Sequence, residues 1–366
     1  MLAEFPSLDL VPHSFSDSPS GRIVLLADDL TGACDAGVAF LHSGRTVRVW
    51  FGASALHAAS ESVQAFTTNS RSLSASCAAS AVSHAAKALA SNPDSLFFKK
   101  VDSACRGPVG AEVLAAQDAI SSRAVIFTPS FPSAGRTVRD GTLQIHDSAG
   151  QHKEIRLANL FPLADRNQVG LVSDPSQIES ALNSGKTILI CDSETQADLE
   201  SLVRAVRNLP GLLYAGSAGL AMALAGLIAS RPPGGAHVPP VERRLLIAGS
   251  THPVTRLQLQ TLDRGRFKGL RVMRLGLPLA LRARIRSAFR SYQPQALILT
   301  GGETALLAVH ALGADSFILQ GEIGSGIPWG LIQGGLAHGC VVVTKSGGFG
   351  TPSAFNDILS AFQVAA

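Results

Sequence analysis

The chain has 366 residues, of which 46% are hydrophobic and 16% charged, and its formal net charge is only +4. This length suggests about two domains with large apolar cores. Cysteines stand at positions 34, 77, 105, 191 and 340. With no Cys-x-x-Cys pair, they argue against a zinc site or a disulfide framework and favour a reducing, cytoplasmic compartment. Residues 1–20 lack a basic and then a long apolar segment, so we expect a flexible tail rather than a signal peptide.

The first predicted element is a buried strand, Ile23–Ala27, that ends in two adjacent acids, Asp28 and Asp29. Thr31-Gly32 and a helix-like stretch follow. Parallel strands deliver such groups to the crevice at their carboxyl ends. Because neighbouring carboxylates repel each other, a site that holds both usually needs a cation, a proton or a substrate hydroxyl. The alternative is a helix N-cap, although a cap needs only one acid.

Short apolar strands then alternate with alanine-rich helices, a pattern typical of βαβ units and a parallel sheet. The predicted strands are Val47–Phe51, Ala65–Thr68, Leu96–Lys99, Ala124–Thr128, Thr187–Cys191 and Leu212–Ala215. The predicted helices are Ser74–Ala90, Gly110–Ile120, Ser176–Asn183 and Thr195–Asn208. The uncharged segment Gly211–Ser230 is long enough to cross a bilayer, but glycines 216 and 219 divide it. We therefore expect a strand, a turn and a packed helix there, and no membrane partner.

Charged side chains follow three strands of this first half. The loops contain Arg71 after one strand, Lys99 or Lys100 with Asp102 and Arg106 after the next, and Arg136 after a third. A single arginine is usually only a surface charge. Several at neighbouring strand ends predict a site for an acidic substrate, because the arginine fork matches a carboxylate.

Residues 231–240 are rich in proline and glycine and predict a linker. The strand pattern then resumes at Leu245–Ala248, Ala296–Thr300, Ser316–Leu319 and Val341–Thr344. We therefore expect an α/β fold of two α/β domains with mainly parallel sheets, at 21–230 and 241–366, and a ligand cleft between them.

Three strands of the second half end in polar loops with glycine, at residues 249–251, 301–304 and 345–350. Glycine lets the backbone approach a ligand and turn its N–H groups toward an anion, and a helix N-terminus adds positive charge. One such loop is often just a tight turn, but three in one sheet predict a phosphate-bearing ligand. The P-loop-like stretch Ser180–Thr187 follows a helix and not a strand, so it fails the structural test of that motif.

Nine arginines or lysines and no acid lie between Arg264 and Arg290. Such a stretch could contact nucleic acid. Only Phe267 and Phe289 are interleaved for base stacking, so we favour a solvated helix face or attraction of a polyanionic ligand.

Taken together, the motifs resemble those of the four-carbon acid sugar kinase family, formerly a domain of unknown function, which includes threonate, erythronate and 3-oxo-tetronate kinases. The matching segments are Ala27–Ala33, Lys99–Ser103, Gly249-Ser250, Gly301–Thr304, Gly326–Trp329 and Lys345–Gly350. The resemblance starts at about residue 21 and implies an N-terminal substrate domain, a C-terminal nucleotide domain and an Asp28–Asp29 loop that faces the acid sugar. It also implies that ATP binds at Ser250, Gly301, Gly302, Glu303, Thr304, Gly347 and Gly348.

From these residues we predict ATP-dependent phosphorylation of a hydroxyl group of a short acid sugar. Asp28 or Asp29 would be the base, with Asp102 as an alternative. The carboxylate of the sugar would bind the basic residues named above, and Glu303 could contact the nucleotide or Mg²⁺.

Two alternatives and one further question stay open. The segment after Gly141 lacks the Asn-Pro-Met-Thr-like motif that compared members carry, so a catalytically altered member that binds an acid sugar or nucleic acid is one. An NAD-dependent dehydrogenase is the other. The sequence also leaves open whether the chain forms a homo-oligomer.

Overall fold

The computed structural model describes residues 21–52, 61–90, 95–146, 152–229, 236–275 and 280–363. The predicted tail, 1–20, and residues 231–235 of the predicted linker lie outside the described residues. Residues 236–240 form neither helix nor strand.

Strands and helices alternate over most of the first half of the chain, as predicted. Its strands are β1 Ile23–Ala27, β2 Val47–Trp50, β3 Val63–Thr67, β4 Leu96–Lys100, β5 Ala124–Thr128, β6 Arg136–Arg139, β7 Thr142–His146, β8 His152–Arg156, β9 Val169–Val172, β10 Ile188–Cys191 and β11 Leu212–Gly216. Its helices are α1 Leu30–His42, α2 Ala75–Leu89, α3 Val109–Ala119, α4 Ile178–Asn183, α5 Gln196–Val206 and α6 Ala218–Leu227.

Strands and helices also alternate over most of the second half. Its strands are β12 Arg244–Ala248, β13 Leu270–Arg274, β14 Ala296–Thr300, β15 Ser316–Glu322, β16 Pro328–Gln333 and β17 Val341–Lys345. Its helices are α7 Pro253–Gln260, α8 Leu281–Tyr292, α9 Gly302–Ala311 and α10 Ala354–Ala361.

Fourteen of the described strands form one sheet in the order β13-β12-β14-β17-β16-β15-β2-β3-β1-β4-β11-β5-β10-β9. Neighbours are parallel except around β15 and β16, where β15 is antiparallel to both β16 and β2, and β16 to β17. The β15–β2 pair joins strands of the two halves in one sheet. The predicted α/β class with mainly parallel strands is confirmed, whereas the two-domain boundaries stay a prediction.

The pairing makes β17 run opposite to β1, yet the loops that follow the strands of both halves meet. Five strand steps separate β1 from β17 in the sheet. A twist of about 20–25° per step accumulates to roughly 100–125° over five steps, which turns the two sets of strand ends toward each other. A twist of this size accounts for the meeting of the two sets of loops at one crevice.

Several elements were not predicted. The antiparallel strands β6, β7 and β8 form a separate small sheet, whose buried Val138, Leu143 and Ile145 join an apolar core of the first half. Edge strands β9 and β13 and the inner strand β16 were also missed, because they are short or carry arginine or proline. Local patterns are weak for such strands, which form because a neighbour pairs with them.

The uncharged segment from Gly211 and the basic stretch from Arg264 both form ordinary parts of the fold. The segment from Gly211 comprises β11, an N-cap at Ser217 and the packed helix α6, as predicted. Among the described residues there is no helix whose length and apolar character would let it span a bilayer. In the basic stretch, α8 buries Ile285 and Phe289 and exposes its arginines, the solvated helix face that we favoured.

Candidate functional site

The two acids after β1 share one arginine. Arg71, from the loop after β3, donates from Nε and Nη2 to both oxygens of Asp28, at 2.7 and 3.0 Å. Its Nη1 donates to Asp29 Oδ2 at 2.6 Å. Asp29 also caps α1, because its Oδ1 accepts from Gly32 N at 2.7 Å. One acid thus has both the capping role and a place in an ion-pair cluster, and Arg71 supplies the cation that two adjacent carboxylates require.

The loop after β4 adds a second acid–arginine pair to this cluster. Arg106 donates from Nε and Nη2 to the two oxygens of Asp102 at 2.8 and 2.7 Å. Arg71 Nη2 lies 3.7 Å from Asp102 Oδ1, so the pairs are linked. Although burial alone would raise it, the pKa of Asp102 lies well below its ordinary value, because Arg106 and Arg71 stabilise the anion. The pKa of Asp29 is raised by burial, against the opposing charges of Arg71 and Lys100.

The structure separates Lys99 and Arg136 from this cluster. Lys99 is fully buried, and its Nζ lies 2.7 Å from Glu112 Oε2, whereas Lys100 lines the crevice. Adjacent residues on a strand point to opposite faces, so only one of these lysines can face the crevice. Arg136 is not among the residues that line the crevice, and its guanidinium donates to the carbonyl of Ala134.

The crevice is lined by both halves of the chain. Its described walls comprise Asp29, Thr31, Gly32, Asp35, Arg71, Lys100, Asp102, Ser103, Arg106, Phe131, Ala218, Ser346 and Phe349. Gly302, at the start of α9, meets the acid cluster, since a Cβ atom there would lie 2.8 Å from Asp29 Oδ2. The acid–arginine cluster and the glycine loops therefore face one another.

The three glycine loops also lie against each other. A Cβ atom at Gly301, whose φ is 93°, would lie 3.3 Å from Ser250 Cβ, and one at Gly347 would overlap Ser250 Oγ. A Cβ atom at Gly348 would lie 3.3 Å from the His252 ring. No side chain caps the first turn of α9. Backbone N–H groups that crowd together at an uncapped helix start suit a phosphate.

Helix α7 holds the third glycine loop in place. Thr255 Oγ1 donates to the carbonyl of Gly347 at 2.7 Å. The buried Gln258 Nε2 donates to the carbonyls of Phe349, Gly350 and Thr351, at 2.9–3.2 Å. The sequence pattern did not predict this role. The signal was a Thr and a Gln three residues apart, one helical turn, directly after the first glycine loop.

Lys345, the last residue of β17, also supports the third glycine loop. Its fully buried Nζ donates to the carbonyls of Ser346 and Phe349 at 2.9 and 3.1 Å. Burial lowers the pKa of Lys345 to about 8. Two carbonyl oxygens and the ring of Phe355, whose centroid lies 5.5 Å from Nζ, therefore hold this ammonium group, and the ammonium group fixes the loop in return.

Asp35 is a further crevice residue that the sequence pattern did not single out. It lies on α1, beyond the acid pair, and is partly buried. Burial raises the pKa of Asp35 to about 7, opposed by Lys100 and reinforced by Asp29 and Glu322. A carboxyl group with a raised pKa in a crevice is a candidate for a functional role.

Comparison with known proteins bears on both halves. A family model described as a sugar-binding N-terminal domain matches residues 23–177 and 167–224, more than half of the chain. The chain belongs to this family. A second model, described as a nucleotide-binding C-terminal domain, matches residues 277–355.

Curated relatives of this family member are kinases. The chain is 28% identical over 391 residues to a D-threonate kinase of Bordetella bronchiseptica, a match that covers 90% of this chain and 94% of the relative. It is 26% identical to a D-erythronate kinase of Heliobacterium modesticaldum, over 66% of this chain and 60% of that one. Further relatives are 3-oxo-tetronate kinases. The predicted membership of the four-carbon acid sugar kinase family is confirmed.

Two solved structures share the fold. A protein of Salmonella typhimurium superposes with a TM-score of 0.71 at 20% identity, over 93% of this chain and 100% of that chain. A protein of Bordetella bronchiseptica with a domain of unknown function superposes at 0.50 with 27% identity, over 94% and 98%. That protein is a domain-swapped dimer with bound citrate.

Proposed function

We propose that this family member is an ATP-dependent kinase that phosphorylates a hydroxyl group of a short acid sugar such as threonate, erythronate or 3-oxo-tetronate. The observation that carries the proposal is the contact of Gly302 with Asp29, which sets glycine loops suited to phosphate against an acid–arginine cluster suited to a hydroxy acid. Phosphoryl transfer depends mainly on aligning two substrates and neutralising charge. The kinase names of the relatives support the same reaction.

The acceptor side is built from the first half of the chain. We assign the carboxylate of the sugar to Arg106 and Lys100, because Arg106 is 59% exposed and the hydrogen bond of Lys100 goes to a neutral group, the carbonyl of Val101. The assignment moves the lysine role from Lys99 to Lys100, since Glu112 already neutralises Lys99. Asp29 and Asp102, which line the crevice, would accept hydrogen bonds from the hydroxyl groups of the sugar, and the buried Asp28 would hold Arg71 in place.

The donor side is built from the second half. Ser250, Thr304 and the backbone N–H groups of Gly301, Gly302, Gly347 and Gly348 would hold the phosphates of ATP. The described residues contain no group of three or more acids, histidines or cysteines placed to hold a metal ion. This suits Mg²⁺ bound through ATP, which needs only one or two protein carboxylates, and the exposed Glu303 is our candidate. Bound Mg²⁺ would neutralise phosphate charge.

We also propose a cellular location and an oligomeric state. All five cysteines are free thiols, which supports a reducing, cytoplasmic location. The domain-swapped dimer of the Bordetella bronchiseptica protein supports a homo-oligomer.

The proposed function is tested by a coupled assay for ADP with the full chain, ATP, Mg²⁺ and a panel of threonate, erythronate and 3-oxo-tetronates. We expect turnover with at least one acid. Arg71→Met should lower kcat/KM for that acid by about 100-fold or more, because three charge-assisted hydrogen bonds are lost. Arg139→Met is the matched control, since Arg139 pairs with Glu194 on the surface.

Other results would support the alternatives. Tight NAD binding without ATP binding would favour a dehydrogenase. Salt-sensitive DNA binding without turnover of any acid would favour the nucleic-acid-binding alternative.

A further inference from the structure

Of the three acids that line the crevice, Asp29 and Asp102 are already occupied by donors from the protein, and so is the buried Asp28 beside them. Both oxygens of Asp28 bind Arg71. Asp29 accepts from Arg71, from Gly32 N and from Thr31 Oγ1, the last at 2.8 Å. Asp102 accepts from Arg106 and from the backbone N–H groups of residues 104 and 106. To take up a proton, each of these carboxylates would have to give up charge-assisted hydrogen bonds.

Asp35 is different. Within the described part of the chain, no hydrogen bond or ion pair reaches its carboxylate. The charged groups that act on it are Lys100 and Arg71 on one side and Asp29 and Glu322 on the other. Asp35 thus has room for an incoming hydroxyl group, and the two neighbouring anions favour its proton-bound form.

Asp35 also stands where both substrates would meet. Its helix, α1, begins at the acid cluster and packs against α9, β15, β16 and β17 of the second half. The crevice wall that includes Asp35 also includes Arg71 and Ser346, from the acid–arginine cluster and the third glycine loop. A base for phosphoryl transfer must reach the hydroxyl beside the terminal phosphate.

We infer that Asp35 is the proton acceptor of the reaction, an inference that rests on the proposed kinase function. The hydroxyl oxygen of the sugar forms a bond to the terminal phosphorus of ATP while its proton passes to an Asp35 carboxylate oxygen. The bond between that phosphorus and the bridging oxygen breaks, and its electron pair leaves with ADP. Asp29 and Arg71 then orient the sugar, Asp28 holds Arg71, and neither acid accepts the proton.

The test compares Asp35→Asn with the wild type on the acid that the wild type phosphorylates. We expect kcat to fall by about 10²- to 10⁴-fold, the usual contribution of a general base, while both KM values stay within about threefold. Asp118→Asn, which removes an exposed acid from α3, is the control and should leave kcat unchanged. Asp29→Asn should raise KM for the sugar more than it lowers kcat.

A pH profile separates a base from a structural residue. The wild-type kcat/KM for the sugar, which reports the pKa values of the free enzyme, should fall on the acid side with a midpoint near the Asp35 pKa of about 7. Glu322→Gln removes a neighbouring negative charge, keeps an acceptor for Gly326 N and should move this midpoint to lower pH.

Four outcomes would overturn the inference. Asp35→Asn with kcat within threefold of the wild type would do so, and so would a change in KM alone. Recovery of kcat at high Mg²⁺ would make Asp35 a metal ligand instead. A wild type that phosphorylates none of the acids would remove the proposed function and the inference together, which distinguishes that failure from the other three.

Discussion

Neighbouring residues at the strand ends of this protein have different roles, and the direction of each side chain decides which. Lys99 and Lys100 follow one another on β4, yet the first pairs with the buried Glu112 and the second lines the crevice. Glu112 also accepts from Ser70 Oγ at 2.7 Å, directly before Arg71. Lys99 therefore helps to place Arg71, although it does not face the crevice.

The raised pKa of Asp35 has a consequence for stability. The folded state holds the Asp35 proton up to a pKa of about 7, whereas an unfolded Asp releases it near a pKa of about 4. The contribution of this carboxyl to stability is therefore full below about pH 4 and is lost as the pH rises through 7.

Asp35→Asn, which is neutral at every pH, should accordingly raise Tm at pH 8 by about 2 °C or more, and by less at pH 5. Thermal unfolding by circular dichroism at the two pH values measures this. Asp118→Asn should show no such difference, and an equal Tm gain at both pH values would contradict the raised pKa.

Single elements of the second half organise the nucleotide side. Helix α7 begins directly after the first glycine loop, and its Thr255 and Gln258 hold the backbone of the third. A helix can do this because residues three apart lie on one face. The helix thereby connects two loops that are far apart in the chain.

Loss of this connection should weaken ATP binding. Gln258→Leu removes the side-chain donor of the Gly350 and Thr351 carbonyls and one of the two donors of the Phe349 carbonyl. It should raise KM for ATP by about tenfold, with little change in KM for the sugar. Gln260→Leu, an exposed position on the same helix, is the matched control. Initial rates at varied ATP measure the effect, and equal KM values for the two variants would contradict it.

On the scale of the whole molecule, the two halves depend on packing at the β15–β2 junction. Three residue pairs join these strands, and α1 covers them. Gly37 allows the approach, because a Cβ atom there would lie 2.8 Å from Leu319 Cδ1 and 3.1 Å from Val47 Cγ1. A larger side chain would push α1 away from strands of both halves.

Gly37→Leu should therefore lower the free energy of unfolding by about 1–3 kcal/mol. Gly226→Leu is the matched control, since a Cβ atom at this exposed glycine near the end of α6 would have no neighbour within 4 Å, and Leu is the better helix former. Urea unfolding compares them, and an equal loss in both variants would show that the junction does not limit stability.

The sequence by itself determined the α/β class, most strand positions, the acid pair after β1 and the three glycine loops. These follow from local signals, since apolar runs, glycines and strand-end charges lie within a few residues of each other. The family resemblance rested on the same short segments.

Only the tertiary structure decided which of these groups meet. Four features of the site depend on contacts between distant segments. Lys100 and not Lys99 lines the crevice, and Arg71 binds both Asp28 and Asp29. Asp35 faces the crevice, and Gln258 supports one glycine loop. Strand pairing and sheet twist set such contacts, and neither is encoded in any one segment. A carboxylate near a chain turn can be read from sequence, but its basicity depends on the charges that folding places around it.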